Sequence, residues 1–313
     1  MALTLAQAAL LSNDVVRQGV IEAIVKESGL LERLPFIEMV GNSLKYNREL
    51  TLAGAEFFAV GSTWTESTPT VEQKSAALKI LGGDADVDKF LAQTRANVQD
   101  LEAVMLELKA KAVAHRFDYE AVYGDDAVDA LGFDGLHAME EEGPAAQTFA
   151  MGTTTTPGAL SLKKLDEVID AVRPGKPDFL MMTRTQRRGI SAYARSLTSP
   201  VTYQPSELGQ RVMFYDGIPI VVNDHQLHTE VITNGGLEVT AATGGTGASI
   251  FALKVGEGQL SGLTNGGVQV ESVGALETKD AKRWRCKFYC GLALFSVLAM
   301  ARLGGVSSGD VVA

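Results

Sequence analysis

Residues 41–81 form a run that a single compact chain has little means to bury, and this constrains the fold more than any other feature. Ser43–Leu50 and Glu56–Val60 read as two extended runs around Ala53-Gly54-Ala55, and Trp64–Thr70 continues them with Thr and Ser in place of core residues. The pattern predicts a long hairpin excursion that leaves the body of the protein. A two-stranded ribbon is marginal in water by itself, so it needs a further surface to lie on, either its own core or a neighbour.

The flanks are more conventional. Leu3–Leu34 carries apolar residues at helical spacing, interrupted at Gly19 and Gly29 and stopped by Pro35. From Lys89 to about Val122 a stripe of Val98, Leu101, Met105, Leu108 and Ala112 predicts a spine helix of about 30 residues, roughly 45 Å long. His115 falls near its end and reads as a surface or capping cation. Gly132–Leu136 is a compact turn, and the polar stretch from Glu140 to Gly158 reads as a domain boundary, with Glu140–Glu142 as a solvated face.

Beyond it, Leu162–Val172 reads as a helix capped by Ser161, Asp178–Met182 as a buried strand and Thr183–Leu197 as a basic helix. Ile218–Val222 and Ser249–Leu253 add strands, giving a small mixed α/β unit. Gly267–Val273 and Arg283–Cys290 then alternate cleanly as a hairpin. Arg283, Arg285 and Lys287 share one face of its second strand. Trp284, Cys286 and Phe288 share the other, an apolar face suited to the spine helix. Cys286 and Cys290, the two cysteines, would lie about 13 Å apart on a strand, too far for a disulfide, and read as buried thiols.

Composition removes several function classes. With 28 Lys+Arg against 38 Asp+Glu the formal net charge is −10, which disfavours a free nucleic-acid reader. The apolar fraction of 46% and charged fraction of 21% exclude a disordered chain. The longest apolar run, Cys290–Ala301, is shorter than the roughly 18 to 20 residues that span a bilayer, so no membrane partner is expected.

Chemistry is sparse. Gly175-Lys176 is followed by Pro177 and makes no P-loop, and the Gly-rich Ala242–Ala248 stretch precedes a strand where a dinucleotide loop would open a helix. No Gly-x-Ser-x-Gly elbow occurs. Asp224, His225 and His228 are the one group that resembles a metal site, because imidazole nitrogens and a carboxylate after a strand suit a divalent ion. Without a clear fourth ligand they read more simply as a polar loop. No catalytic, cofactor-binding or metal residue is therefore assigned, and no cofactor is expected.

The order of arm, ribbon, spine helix, mixed α/β unit and returning strand pair resembles the major capsid proteins of tailed double-stranded DNA bacteriophages, which have the α+β Johnson fold. The resemblance spans nearly the whole chain. It is most specific at Lys45–Glu49, Gly61–Ser67, Ile80–Asp88 and Ser272–Asp280. It implies an N-terminal arm (1–40), an extended loop (41–81), a peripheral domain (82–145 and 265–290) and an axial domain (146–264 and 291–313). It further implies hexamers and pentamers closing an icosahedral virion shell around phage DNA, assembled in the host cytoplasm with a separate scaffolding protein, a portal and a decoration protein as partners. No enzymatic activity is implied.

Members of the family that cross-link themselves join an extended-loop Lys to an Asn on a neighbour, helped by a Glu. Here Lys74 and Lys79 offer amines, but Lys282–Cys290 contains neither Asn nor Glu, so a shell free of isopeptide bonds is expected. Encapsulins, which enclose enzymes in the same architecture, are the alternative. A metal-dependent hydrolase using Asp224, His225 and His228 is the alternative of another class, and a decoration or tail-tube protein a third.

Overall fold

The computed structural model describes residues 29–51, 53–90, 93, 101–141, 147–152, 156–196, 202–205, 211–233, 238–240 and 247–312. The expected N-terminal helix falls outside them as far as position 28. Leu30 and Leu34 are buried at the start of the described chain, where the Leu34 N–H bonds the Leu30 carbonyl at 2.9 Å.

Strand β1 (Phe36–Glu38) is followed by the ribbon strands β2 (Ser43–Thr51) and β3 (Thr70–Ala77), then by β4 (Lys79–Asp88) and helix α1 (Leu101–Tyr123). The turn after α1 leads into the short helix α2 (Leu136–Glu141), β5 (Thr148–Ala150), β6 (Gly158–Ser161) and helix α3 (Leu162–Ala171). Next come β7 (Phe179–Met182), α4 (Arg184–Ser196), β8 (Thr202–Pro205), β9 (Arg211–Tyr215) and β10 (Ile218–Val222). The chain continues through β11 (Val231–Thr233), β12 (Glu238–Thr240), β13 (Gly247–Leu253), the long hairpin β14 (Leu260–Ala275) and β15 (Ala281–Leu294), and β16 (Met300–Val312).

Two main sheets result. One is ordered β1-β14-β15-β4; the other runs β5-β16-β13-β7-β10-β9-β8, with β6 also pairing β16. The central strands β7 and β13 are buried along their whole length, as sequences apolar throughout except at Ser249 require. Their side chains alternate between two cores. Phe179, Met181, Phe251 and Leu253 join α1 and the first sheet, whereas Leu180, Met182, Ile250 and Ala252 join α3, α4 and β16. The same four-residue and seven-residue strands therefore serve both halves of the molecule.

Helix α1 is 23 residues long. Its N-terminal part as expected from Lys89 onward lies mostly outside the described residues. The buried face is Val113, Phe117 and Ala121, with Val122 beside it, while Ala112 is exposed and Met105 and Leu108 are half-buried. The expected stripe is thus displaced by one residue, because the helix meets the hairpin through its C-terminal half. There Phe117 lies 5.6 Å from Phe288, 5.5 Å from Phe133 and 5.9 Å from Phe36, ring centroid to ring centroid. The apolar face of β15 does pack on α1 as the alternation predicts, and Cys286 and Cys290 are free and buried.

The expected solvated face at Glu140 is overturned. Glu140 is 3% exposed and pairs with Arg302 of β16. A carboxylate reads as solvated in a charge run only until a buried cation arrives from a distant strand. The stretch from Glu140 to Gly158 takes in the end of α2 and the strand β5, and β5 pairs in parallel with β16.

Candidate functional site

The ribbon is built as the sequence demands of a half-covered strand pair. Leu44, Tyr46 and Arg48 point inward, and Lys45, Asn47 and Glu49 are exposed. The return strand is β3, with Ser43 opposite Ala77 and Glu49 opposite Val71. This corrects the expectation that Glu56–Val60 pairs back on Ser43–Leu50. Residues 53–69 instead make the tip, where a run of polar Thr and Ser offers no face for a ladder.

The foot of the ribbon is anchored. The Tyr46 hydroxyl and the Arg48 guanidinium both donate to the Leu294 carbonyl, at 3.1 and 2.7 Å, and the Tyr46 ring lies 4.8 Å from Phe295. Leu44, Tyr46 and Ala76 complete a small cluster around Met39, Leu263 and Ala293. The tip is not anchored in this way. Phe57 and Val60 are fully exposed, and Trp64 remains 78% exposed while stacking on Phe58 at 4.3 Å. Exposed apolar side chains gathered at the end of a polar ribbon leave their area in water on the single chain.

A second feature braces the body beneath. Asp84 and Asp86 of β4 stand directly opposite Arg285 and Arg283 of β15. Arg285 Nε donates to Asp84 at 2.7 Å, Arg283 Nε to Asp86 at 2.6 Å, and Lys279 reaches Asp86 at 2.6 Å. Hydrogen bonding by Arg283 above all holds the Asp86 carboxyl far below the usual carboxylate range, and Arg285 lowers Asp84. The basic face read from the alternation of β15 is therefore consumed within the chain.

The residues suspected of holding a metal do not converge. Asp224 forks onto Arg184, with both oxygens 2.6 Å from guanidinium nitrogens. His225 is buried and its Nε2 faces Nδ1 of His115 at 3.2 Å, whereas His228 is exposed. His115, expected at the surface, is thus a packing partner of His225, because α1 passes over the loop that follows β10. Among the described residues the one group with metal-ligand spacing is Asp125, Asp126 and Asp134, at the turn before α2.

Sequence reasoning missed a buried polar knot beside this loop. Glu230 is fully buried; the Tyr123 hydroxyl donates to it at 2.5 Å and Ser249 Oγ at 2.7 Å, and His137 Nε2 lies 3.4 Å away. Tyr123 also accepts the Leu227 N–H at 2.8 Å. These contacts tie α1 and α2 to the loop after β10, and no local signal in the sequence marks residues more than 100 positions apart as partners.

No family model matches the sequence, and no curated protein does. Solved structures do. The encapsulin of the holo-SrpI complex from Synechococcus elongatus PCC 7942 superposes with a TM-score of 0.71 at 17% identity, over 100% of this chain and 99% of that one. The chain has the Johnson fold. A capsid chain of the native GTA particle matches this Johnson-fold chain with a TM-score of 0.65 at 13% identity, over 98% of this chain and 100% of its own. A chain of Microbacterium phage Oxtober96 gives 0.63 at 15% identity, over 98% and 99%. The α+β architecture expected from the order of elements is thereby established.

Proposed function

We propose that this protein is a shell-forming structural subunit, the major capsid protein of a tailed phage, and not an enzyme. The observation that carries the reading is the ribbon itself: an anchored foot, and a tip that leaves Phe57, Val60 and Trp64 in water on a single chain. Burying such a tip on another copy removes the apolar exposure and gives the marginal ribbon its missing surface. The full-length likeness to capsid and encapsulin chains supports the same reading.

In this reading residues 1–40 are the arm and 41–81 the loop that reaches over a neighbour. Residues 82–145 with 265–290 form the peripheral domain, and 146–264 with 291–313 the axial domain at the capsomer centre. Hexamers and pentamers close an icosahedral shell in the host cytoplasm around double-stranded DNA, which an acidic chain touches weakly and without sequence preference. A scaffolding protein, a portal and a decoration protein are the further partners. Lys282–Cys290 lies in β15 without Asn or Glu, so the shell matures without isopeptide bonds.

Negative-stain electron microscopy of the protein, expressed alone and with neighbouring reading frames, tests this. Closed shells or capsomer rings are expected, and denaturing electrophoresis of them should give a single monomer band. A monodisperse monomer under every condition would overturn the shell reading; a ladder of covalent multimers would overturn the absence of cross-links.

The encapsulin reading is favoured by one observation, the TM-score of 0.71 over the whole chain. The contents of purified shells separate the two: nuclease-protected genomic DNA belongs to a capsid, and a co-purifying enzyme to an encapsulin.

A further inference from the structure

Helix α4 carries four arginines and no acidic residue. At 3.6 residues per turn Arg184, Arg187, Arg188 and Arg195 fall within an arc of about 100°. All four are exposed. The opposite side of the helix holds it to the body: Gln186 and Ile190 are buried, and Gly189 packs closely on Val311 of β16. The arginines therefore form a ridge in water, roughly 16 Å from Arg184 to Arg195 at 1.5 Å per residue.

The charges around this ridge do not cancel it. Arg184 forks onto Asp224. Arg187 and Arg188 meet no carboxylate among the described residues, and Arg195 spends its Nε on the Ser191 carbonyl of its own helix at 3.1 Å. The helix rests on β16 and β10. Strand β10 has no charged residue, and β16 has Asp310 and Arg302, the latter given to Glu140. Asp216, in the turn before β10, is held by Lys176. Even with Asp310 set against the helix, four guanidinium groups stand against two carboxylates.

A protein partner takes most of its binding energy from aromatic or apolar anchors at the centre of the contact. This face offers none, because the same arc holds only Ser191 besides the arginines. Phosphate contacts need no such anchor, and the planar fork of arginine matches a pair of phosphate oxygens.

We propose that the outer face of α4 is a contact for the phosphodiester backbone of double-stranded DNA. Arg187, Arg188 and Arg195 take phosphate oxygens and no base is read, so the contact is blind to sequence. The net charge of −10 on the whole chain keeps it weak. The choice of DNA as occupant rests on the shell reading above, whereas the unpaired basic face rests on the charges of α4 alone.

The test is fluorescence anisotropy of a labelled 20-base-pair duplex of arbitrary sequence with the unassembled full chain, over a series of salt concentrations. The logarithm of the binding constant should fall linearly with the logarithm of salt, by about 0.9 for each phosphate contacted. Arg187→Gln with Arg188→Gln should weaken low-salt binding at least about tenfold and make the slope shallower by about 2. Lys45→Gln, which removes an exposed cation from the ribbon, should change neither. Absence of duplex binding at low salt overturns the proposal, as does a double variant that binds like the parent. Normal duplex binding by a double variant that no longer forms shells would likewise overturn it, by assigning the face to subunit contact. Failure of the shell reading is separate: it appears in electron microscopy as a chain that never assembles, whatever its affinity for the duplex.

Discussion

Arg302 of β16 sets its Nε 2.7 Å from a Glu140 carboxylate oxygen of α2, an ion pair with both side chains at least 98% removed from solvent. The Thr148 hydroxyl holds the other Glu140 oxygen, so the pair fastens α2 and β5 onto the central sheet. Removing one partner strands the other charge in the core. Arg302→Met should therefore lower unfolding stability by about 3–5 kcal/mol in urea titrations. The double variant Arg302→Met with Glu140→Leu should recover most of that loss. Equal stability of the single and double variants would show that packing, and not the pair, is what the site supplies.

Trp64 lies at the ribbon tip, stacked on Phe58 and otherwise in water. Trp64→Ala should change the stability of the isolated chain by no more than about 0.5 kcal/mol, as for most surface substitutions. Shell formation should nevertheless fail, as read by sedimentation and electron microscopy. Normal shells from Trp64→Ala would remove the tip from the assembly contact.

The paired Asp84 and Asp86 give a pH dependence of known sign. Their folded-state carboxyls titrate below the ordinary value, so the stability they contribute is fully present above about pH 4 to 5 and is lost as the pH falls through the folded values. Thermal melts should be insensitive to these groups near neutrality and should decline in acid. Asp84→Asn with Asp86→Asn should flatten the acid limb while lowering stability at neutral pH. Since Arg285 and Asp84 are partly exposed, 1 M salt should also weaken their share. An unchanged acid limb in the double variant would assign it to other groups.

Burial pushes the Cys290 thiol up to about 12 and raises Cys286 as well. At pH 8 only about one Cys290 in ten thousand is then thiolate, the form that reacts. Maleimide should label neither cysteine in the native chain and both after denaturation. Fast native labelling of Cys290 would mean that β15 opens on the timescale of the reaction.

Much of the fold was legible where local periodicity and burial coincide. The alternation of Arg283–Cys290 placed its charged and apolar faces correctly because a strand in a one-sided sheet must separate them. Strands such as Ile218–Val222 and helices such as Arg184–Ser196 followed from apolar runs and helical spacing. The ribbon was legible as an excursion, but its return strand was not, since Thr70–Ala77 becomes a strand only through its register against Ser43–Thr51.

The sequence by itself determined the order of elements, the absence of a recognisable catalytic motif and the polar ribbon that asks for a partner, because each follows from residue spacing and turn chemistry within a short window. The tertiary structure alone decided which charges are partnered. Glu140 became a buried anion because Arg302 arrives from 162 positions away, His115 met His225, Asp224 turned to Arg184, and Arg48 was carried to the Leu294 carbonyl. Electrostatic energy in a low-dielectric interior depends on distance and burial, and both are properties of the packed chain.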